Sequence, residues 1–156
     1  MILDERNEFA DATTVAAAAG TALIGDVIDL GTDGVNDVEG LYAVISVDTE
    51  IATAAAAGTV QLFLVSDALA TLGAGVVANC TTHASTPLLV TGATTVSPLL
   101  AAGKTLMQVE LPKGQYERYL GVLCTTATTT TTTGKVNAFL TPTPVTQKSF
   151  DAPFQL

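Results

Sequence analysis

An all-β fold is predicted by three features of this chain of 156 residues: short runs of β-branched and aromatic residues, glycines set between them, and almost no amphipathic helix pattern. The first persuasive run is Leu23–Leu30. Leu41–Val47 and Val60–Val65 follow, separated by an alanine-glycine loop, and read as a sequential antiparallel pair. Pro87–Thr91 is a shorter run. Leu106–Leu111 alternates most clearly, with Met107, Val109 and Leu111 on one face, Gln108 and Glu110 on the other, and Pro112 closing the strand. Tyr119–Thr125 and Val136–Leu140 complete the set, and Gly92, Gly103, Gly114 and Gly134 punctuate the second half as turn residues. Seven or eight strands with turns between them point to an antiparallel β-sandwich of the jelly-roll kind.

Helix signals are weak. Asp67–Leu72 could form one short turn capped by Ser66, stopped by Gly73 and Gly75. The tetrads Ala16–Ala19 and Ala54–Ala57 have high helix propensity, but Gly20 and Gly58 follow at once and neither can present a broad apolar stripe, so both are expected to be loops. Thr125–Thr133, broken only by Ala127, is either a hairpin extension or an exposed loop; an ordered array recognising a carbohydrate or ice surface is the sharper alternative.

The length suits one domain. Residues 1–22 are expected to be an extended N-terminal arm and linker, residues 23–141 the sandwich, and residues 142–156 a C-terminal tail. Hydrophobic residues make up 48% of the chain but aromatics only 5%, so small side chains fill much of the core. The net charge is −9, and residues 1–67 hold 12 of the 15 acidic residues with Arg6 as their only base. Without a basic stripe to release counterions, nucleic acid is not an expected partner. The acidic half could instead meet a basic protein surface or simply keep the chain soluble. No apolar run approaches the ~18 residues that span a bilayer, and acids follow Met1 where a secretory signal would carry bases, so folding in a cytosol is expected and a membrane role is not.

Reactive chemistry is sparse. His83 is the one histidine, and the expected reading is an ordinary loop or strand-edge residue, since no nucleophile-elbow sequence accompanies it. Cys80 and His83 have a ligand-like spacing, but Cys124 is the only other thiol, too few for a zinc set; both cysteines are expected to be reduced, small packing groups. Asp33–Glu39 supplies oxygen atoms without the EF-hand order, which suits turns better than calcium. Asp26 and Asp29 are expected on opposite faces of one strand, which argues against a carboxylate pair. Gly73 and Gly75 follow a turn instead of opening a helix after a strand, so they form no dinucleotide cradle. No catalytic residue, cofactor or metal site is therefore assigned.

Binding is left to the termini. Ile2, Leu3 and Phe9 are apolar anchors among Asp4, Glu5, Arg6, Glu8 and Asp11, a pattern suited to a segment that orders against another chain. Phe150 and Phe154 offer similar anchors in the tail, able to pack on this domain or on a partner.

MILDERNEFADAT at Met1–Thr13, LIGDVIDLG at Leu23–Gly31, YERYLGVL at Tyr116–Leu123 and GKVNAFLT at Gly134–Thr141 resemble the capsid cement, or decoration, proteins of podophage-type tailed bacteriophages. The resemblance spans nearly the whole chain, with the threonine run and the segment after Pro144 as departures. It implies a jelly-roll fold and a structural, non-enzymatic role on the outer surface of the virion. The implied partners are the major capsid protein, at junctions between its subunits, and further copies of the chain, a homodimer being favoured over a trimer. Production and assembly in the host bacterial cytoplasm follow from the same likeness. The alternative is a β-sandwich module of a phage particle that binds a host surface or carbohydrate; grouped aromatic loops would favour it, but the chain has no Trp and three tyrosines, Tyr42, Tyr116 and Tyr119.

Overall fold

β-Branched and aromatic residues fit a pleated, half-buried surface, and the predicted runs all lie in or against strands. The computed structural model describes residues 5–31, 40–55, 57–94 and 96–143. Its strands are β1 (Glu8–Thr14), β2 (Gly20–Asp29), β3 (Tyr42–Ala52), β4 (Thr59–Asp67), β5 (Thr81–Ser85), β6 (Leu89–Val90), β7 (Thr105–Glu110), β8 (Tyr119–Ala127) and β9 (Thr133–Thr141). One sheet has the order β1-β9-β3-β7 and the other β2-β8-β4-β5, all pairs antiparallel. β6 pairs with the same edge of β4 as β5 does, at Thr59 and Val60, so β5 and β6 share one position. The chain changes sheet at every connection except β4–β5–β6. That alternation gives the eight-position jelly roll.

Two expectations fail on this topology. β3 and β4 are not partners: β3 lies between β9 and β7, while β4 lies between β8 and the β5/β6 edge. Alternation tells which face of a strand is buried but not which neighbour it takes, and the loop after β3 crosses to the other sheet, held where Thr53 N donates to Thr91 O at 3.0 Å. The arm is also shorter than residues 1–22. Strand pairing begins at Glu8, opposite Phe139, and Phe9 is only 2% exposed. β1 was hidden because Glu8 and Asp11 interrupt its apolar residues and two register shifts against β9 break its period. At the C-terminal end β9 stops at Thr141, and the expected tail from Pro144 onward lies outside the described residues.

Ile45, Ile51, Leu62, Leu64, Leu100, Leu120, Val122 and Val136 fill the space between the sheets. Met107 and Leu111 join them and Val109 packs against them, as the alternation of β7 predicts. Leu106 is buried too, because a bulge lies where Ile45 pairs with Met107 and Ser46 with Thr105.

The second sheet is covered on both faces. Val65 of β4 and Leu123 of β8 point away from the main core and meet Leu72, with Phe63, Val27, Val77, Cys80 and Tyr119 around them. Leu72 belongs to the excursion from β4 to β5 and sits over Gly121, where an added Cβ would lie 2.4 Å from its Cδ1. The excursion turns left-handed: Leu72, Gly73, Ala74 and Gly75 all have positive φ. A left-handed leucine costs about 1–2 kcal/mol, which burial of its side chain, at about 1.5–3 kcal/mol, offsets. Ser66 does not cap this turn. Asp67 does, its carboxylate accepting from Leu69 N and Gly73 N, because an Asx side chain can bond its own following backbone.

The threonine run belongs mostly to the framework. Thr125 and Thr126 are in β8 and Thr133 opens β9, so the segment crosses from one sheet to the other and is no hairpin extension. Thr131 is buried, donating from Oγ1 to Val15 O at 2.9 Å, and Thr130 O accepts from Thr53 Oγ1 at 2.7 Å. Thr132 N donates to Ala52 O at 3.0 Å. These bonds tie the crossing to both neighbouring loops, including the non-helical alanine stretches around Ala17 and Ala55.

Candidate functional site

The N-terminal elements converge on one side of the sandwich. Gly25, at φ +68, is the bulge residue of β2; an added Cβ there would lie 1.8 Å from Phe9 O, so only glycine lets β2 touch the β1 backbone. Around this seam lie two adjoining shallow hollows, one lined by Glu8, Asp11, Gly25 and Asp26, the other by Arg6, Glu8, Asp26 and Asp29. Three residues, Gly25, Asp26 and Val27, stand between Ile24 and Ile28 where β8 has one, so Asp26 leaves the regular pleat and, against the expectation of opposite faces, lines one hollow with Asp29.

Asp29 is engaged. Its carboxylate accepts from Arg118 Nε and Nη2, both at 2.9 Å, and from Gly31 N at 2.8 Å. The guanidinium, first, and then the Gly31 amide lower its pKa to about 2. Arg118 also lies 5.0 Å from the Tyr119 ring centroid.

Of the expected partner-binding residues, Arg6 is exposed in the 3-10 turn Glu5–Asn7 and lines the second hollow. Phe9 is instead a core residue of this chain, its apolar surface spent between the sheets. Ile2, Leu3, Phe150 and Phe154 lie outside the described residues, as does the Asp33–Glu39 segment.

A polar cluster the sequence did not disclose joins β4, β5 and the connection before β8. His83 Nε2 is 2.8 Å from Ser66 Oγ, which also accepts from Glu117 N at 3.2 Å. The His83 ring stacks on Tyr116 at 4.1 Å, and Tyr116 donates its hydroxyl proton to Pro112 O at 2.7 Å. Burial lowers the His83 pKa. With the imidazole proton on Nδ1, Ser66 donates to Nε2 and accepts from Glu117 N, so the buried hydroxyl is satisfied both as donor and as acceptor. The spacing would suit a nucleophile and base, but Ser66 is fully buried, so no substrate carbonyl can approach its oxygen. The cluster pins the connection to the second sheet.

Cys80 and Cys124 are free thiols, as expected. Burial pushes Cys124 up to about 11 and raises Cys80 as well, helped there by Asp67 and Glu117. Among the described residues no group of three or more His, Cys, Asp or Glu could hold a metal, and no helix is long and apolar enough to cross a membrane. Sequence reasoning also missed the exposed apolar residues Leu23, Leu69, Val76, Leu88, Val90 and Leu99. Parity against a buried neighbour, as at Leu88-Leu89-Val90, is the signal that could have found some of them.

No curated relative matches the chain. The family described as Bbp16 matches residues 9–140, from the core phenylalanine of β1 almost to the end of β9. The chain thus belongs to the Bbp16 family, a phage-associated family.

Proposed function

We propose that this protein is a structural cement protein of a phage particle, bound to the outer surface of the shell at junctions between major capsid protein subunits. The observation that carries the reading is the strand order: a phage-associated family with the jelly-roll topology common in viral capsid domains. The groups with catalytic potential support it, because Ser66, His83 and Tyr116 bind one another.

The physical work is linkage. A protein that binds assembled shell better than free subunits shifts the equilibrium towards assembly, and here it opposes the pressure of packaged DNA. Homo-oligomeric attachment, a dimer in preference to a trimer, lengthens residence because the second contact forms at high effective concentration. The acidic balance favours the outside of the shell over its DNA-lined interior. The segment before β1, with Ile2, Leu3 and Arg6, and the tail with Phe150 and Phe154 are the proposed shell contacts; Phe9 is withdrawn from that set. No catalysis, cofactor, membrane or nucleic acid enters the role.

Titration of purified protein onto undecorated shells tests it. Saturable binding that raises the temperature of shell disruption is expected. Shells that stay bare at saturating protein, or an affinity for glycans in its place, would overturn the reading.

A further inference from the structure

We propose that His83 is an acid-sensitive latch: with its ring neutral it holds the connection between β7 and β8 closed through Ser66, and when the ring takes up a proton from solvent the connection opens and slackens the Asp29–Arg118 clasp. The inference stands apart from the proposed function and adds a switch to the fold.

An irregularity of β5 aims the ring. Val65 pairs with Thr82 and Leu64 with Ala84, so His83 is an extra residue with no counterpart on β4. Such a bulge re-aims a side chain, and here Nε2 comes within 2.8 Å of Ser66 Oγ. Ser66 is fully buried, and Tyr116, only 1% exposed, covers one face of the ring at 4.1 Å.

One hydroxyl proton decides the state. Ser66 accepts from Glu117 N at 3.2 Å and gives its own proton to Nε2. A proton arriving on Nε2 turns that nitrogen into a donor. Ser66 Oγ then faces two donors, and its own proton loses its acceptor in a fully buried place. The Tyr116 face attracts an imidazolium but gives the Ser66 proton no comparable acceptor. Movement of the connection away from β4 removes the Glu117 amide and lets water reach the hydroxyl.

What opens is residues 111–118. Glu117 N is tied to Ser66 and the Tyr116 ring to His83, while Arg118 grips Asp29 through Nε and Nη2, both at 2.9 Å, and its carbonyl accepts from Leu30 N at 2.8 Å. Loss of the first two contacts leaves the clasp to hold the connection alone. The charged or titratable groups around the cluster are Asp67 at the end of β4, Lys113, Tyr116, Glu117 and Arg118 of the connection, and Cys80 before β5; the 3-10 turn Val77–Asn79, packed on β5, brings none. The Asp67 carboxylate is committed to Leu69 N and Gly73 N. Burial is what lowers the His83 pKa, so the open form binds the proton more tightly than the closed one. His83 is also the only histidine, the side chain whose ordinary pKa falls between about pH 5 and 8.

Amide hydrogen exchange of the full chain, followed by NMR between about pH 5 and 8 and corrected for the intrinsic rates, tests the latch. The Glu117 and Leu30 amides should exchange together, faster than the core amide of Val47 at every pH. Their protection should fall by about tenfold for each pH unit below the ordinary imidazole range. In His83→Gln that fall should disappear. Exchange of Glu117 only at the rate of Val47, protection that does not change with pH, or an equal fall in His83→Gln overturns the latch. If His83→Gln does not fold, Ser66→Ala makes the comparison, because it keeps the ring and cuts its link to Glu117. The pH dependence at Leu30 should then vanish, and its persistence overturns the proposal.

Discussion

Replacing Gly25 by alanine should damage the protein more than any comparable change at an open turn. Its φ of +68 costs a non-glycine residue about 1–2 kcal/mol. The added methyl would then stand 1.8 Å from Phe9 O and 2.9 Å from Phe9 C, and backbone cannot swing aside as a side chain can. Relief requires β1 and β2 to part, which disturbs Phe9 and Ile24, both core residues. Overpacking of this kind costs about 1–3 kcal/mol, so Gly25→Ala should lose roughly 2–5 kcal/mol in all. Gly103 supplies the control, with φ +78 and nothing within 4 Å of an added Cβ; Gly103→Ala should lose only the conformational part, about 1–2 kcal/mol. Urea unfolding followed by far-UV circular dichroism measures both. Equal losses at the two positions would refute the close approach of β2 to β1.

Further outcomes follow from the same contacts. Deleting residues 2–7 should leave the sandwich folded while lowering shell occupancy, but deletion of residues 2–11 should unfold it, because β1 loses Phe9, worth about 1.5–3 kcal/mol by burial alone; a soluble 2–11 deletion with an unchanged unfolding midpoint would contradict the pairing of β1 with β9. His83 is held below its ordinary pKa of 6.5 by burial, so the unfolded chain takes up the proton first, and stability should fall as pH drops below about 6.5. Unfolding midpoints of wild type and His83→Gln should diverge above pH 6.5 and converge below it, whereas the Asp29 contribution is lost only between 3.8 and about 2. Under native conditions iodoacetamide should modify half-buried Cys80 well before Cys124, as mass spectrometry of timed samples would show; equal rates would contradict the burial of Cys124 within β8.

Strand character was legible because it is local. The alternation of Met107, Val109 and Leu111 needs only the two-residue period of a strand against a core, and the faces it assigns are those of the fold. Runs such as Val60–Val65 and Tyr119–Thr125 were legible as strands for the same reason, although their near-continuous apolar character reflects a second layer at Leu72 that no local pattern announces. The sparse reactive inventory and the uneven charge were equally plain.

Whatever depends on pairing between distant segments was decided in three dimensions. The partners of β3 and β4, the recruitment of Glu8–Thr14 into a sheet and the role of the threonine run depend on contacts across long stretches of chain. Ser66, His83 and Tyr116 likewise meet only because β5 pairs with β4 and the connection before β8 folds over them. The sequence by itself determined that the chain makes strands, which residues could be buried and where charge is scarce, since propensity, alternation and composition act within a few residues. Only the tertiary structure decided that Phe9 serves this chain's own core and that the charge-poor strands β8, β4 and β5 lie side by side, because hydrogen-bond pairing and burial are shared among segments that meet only once the two sheets have closed on each other.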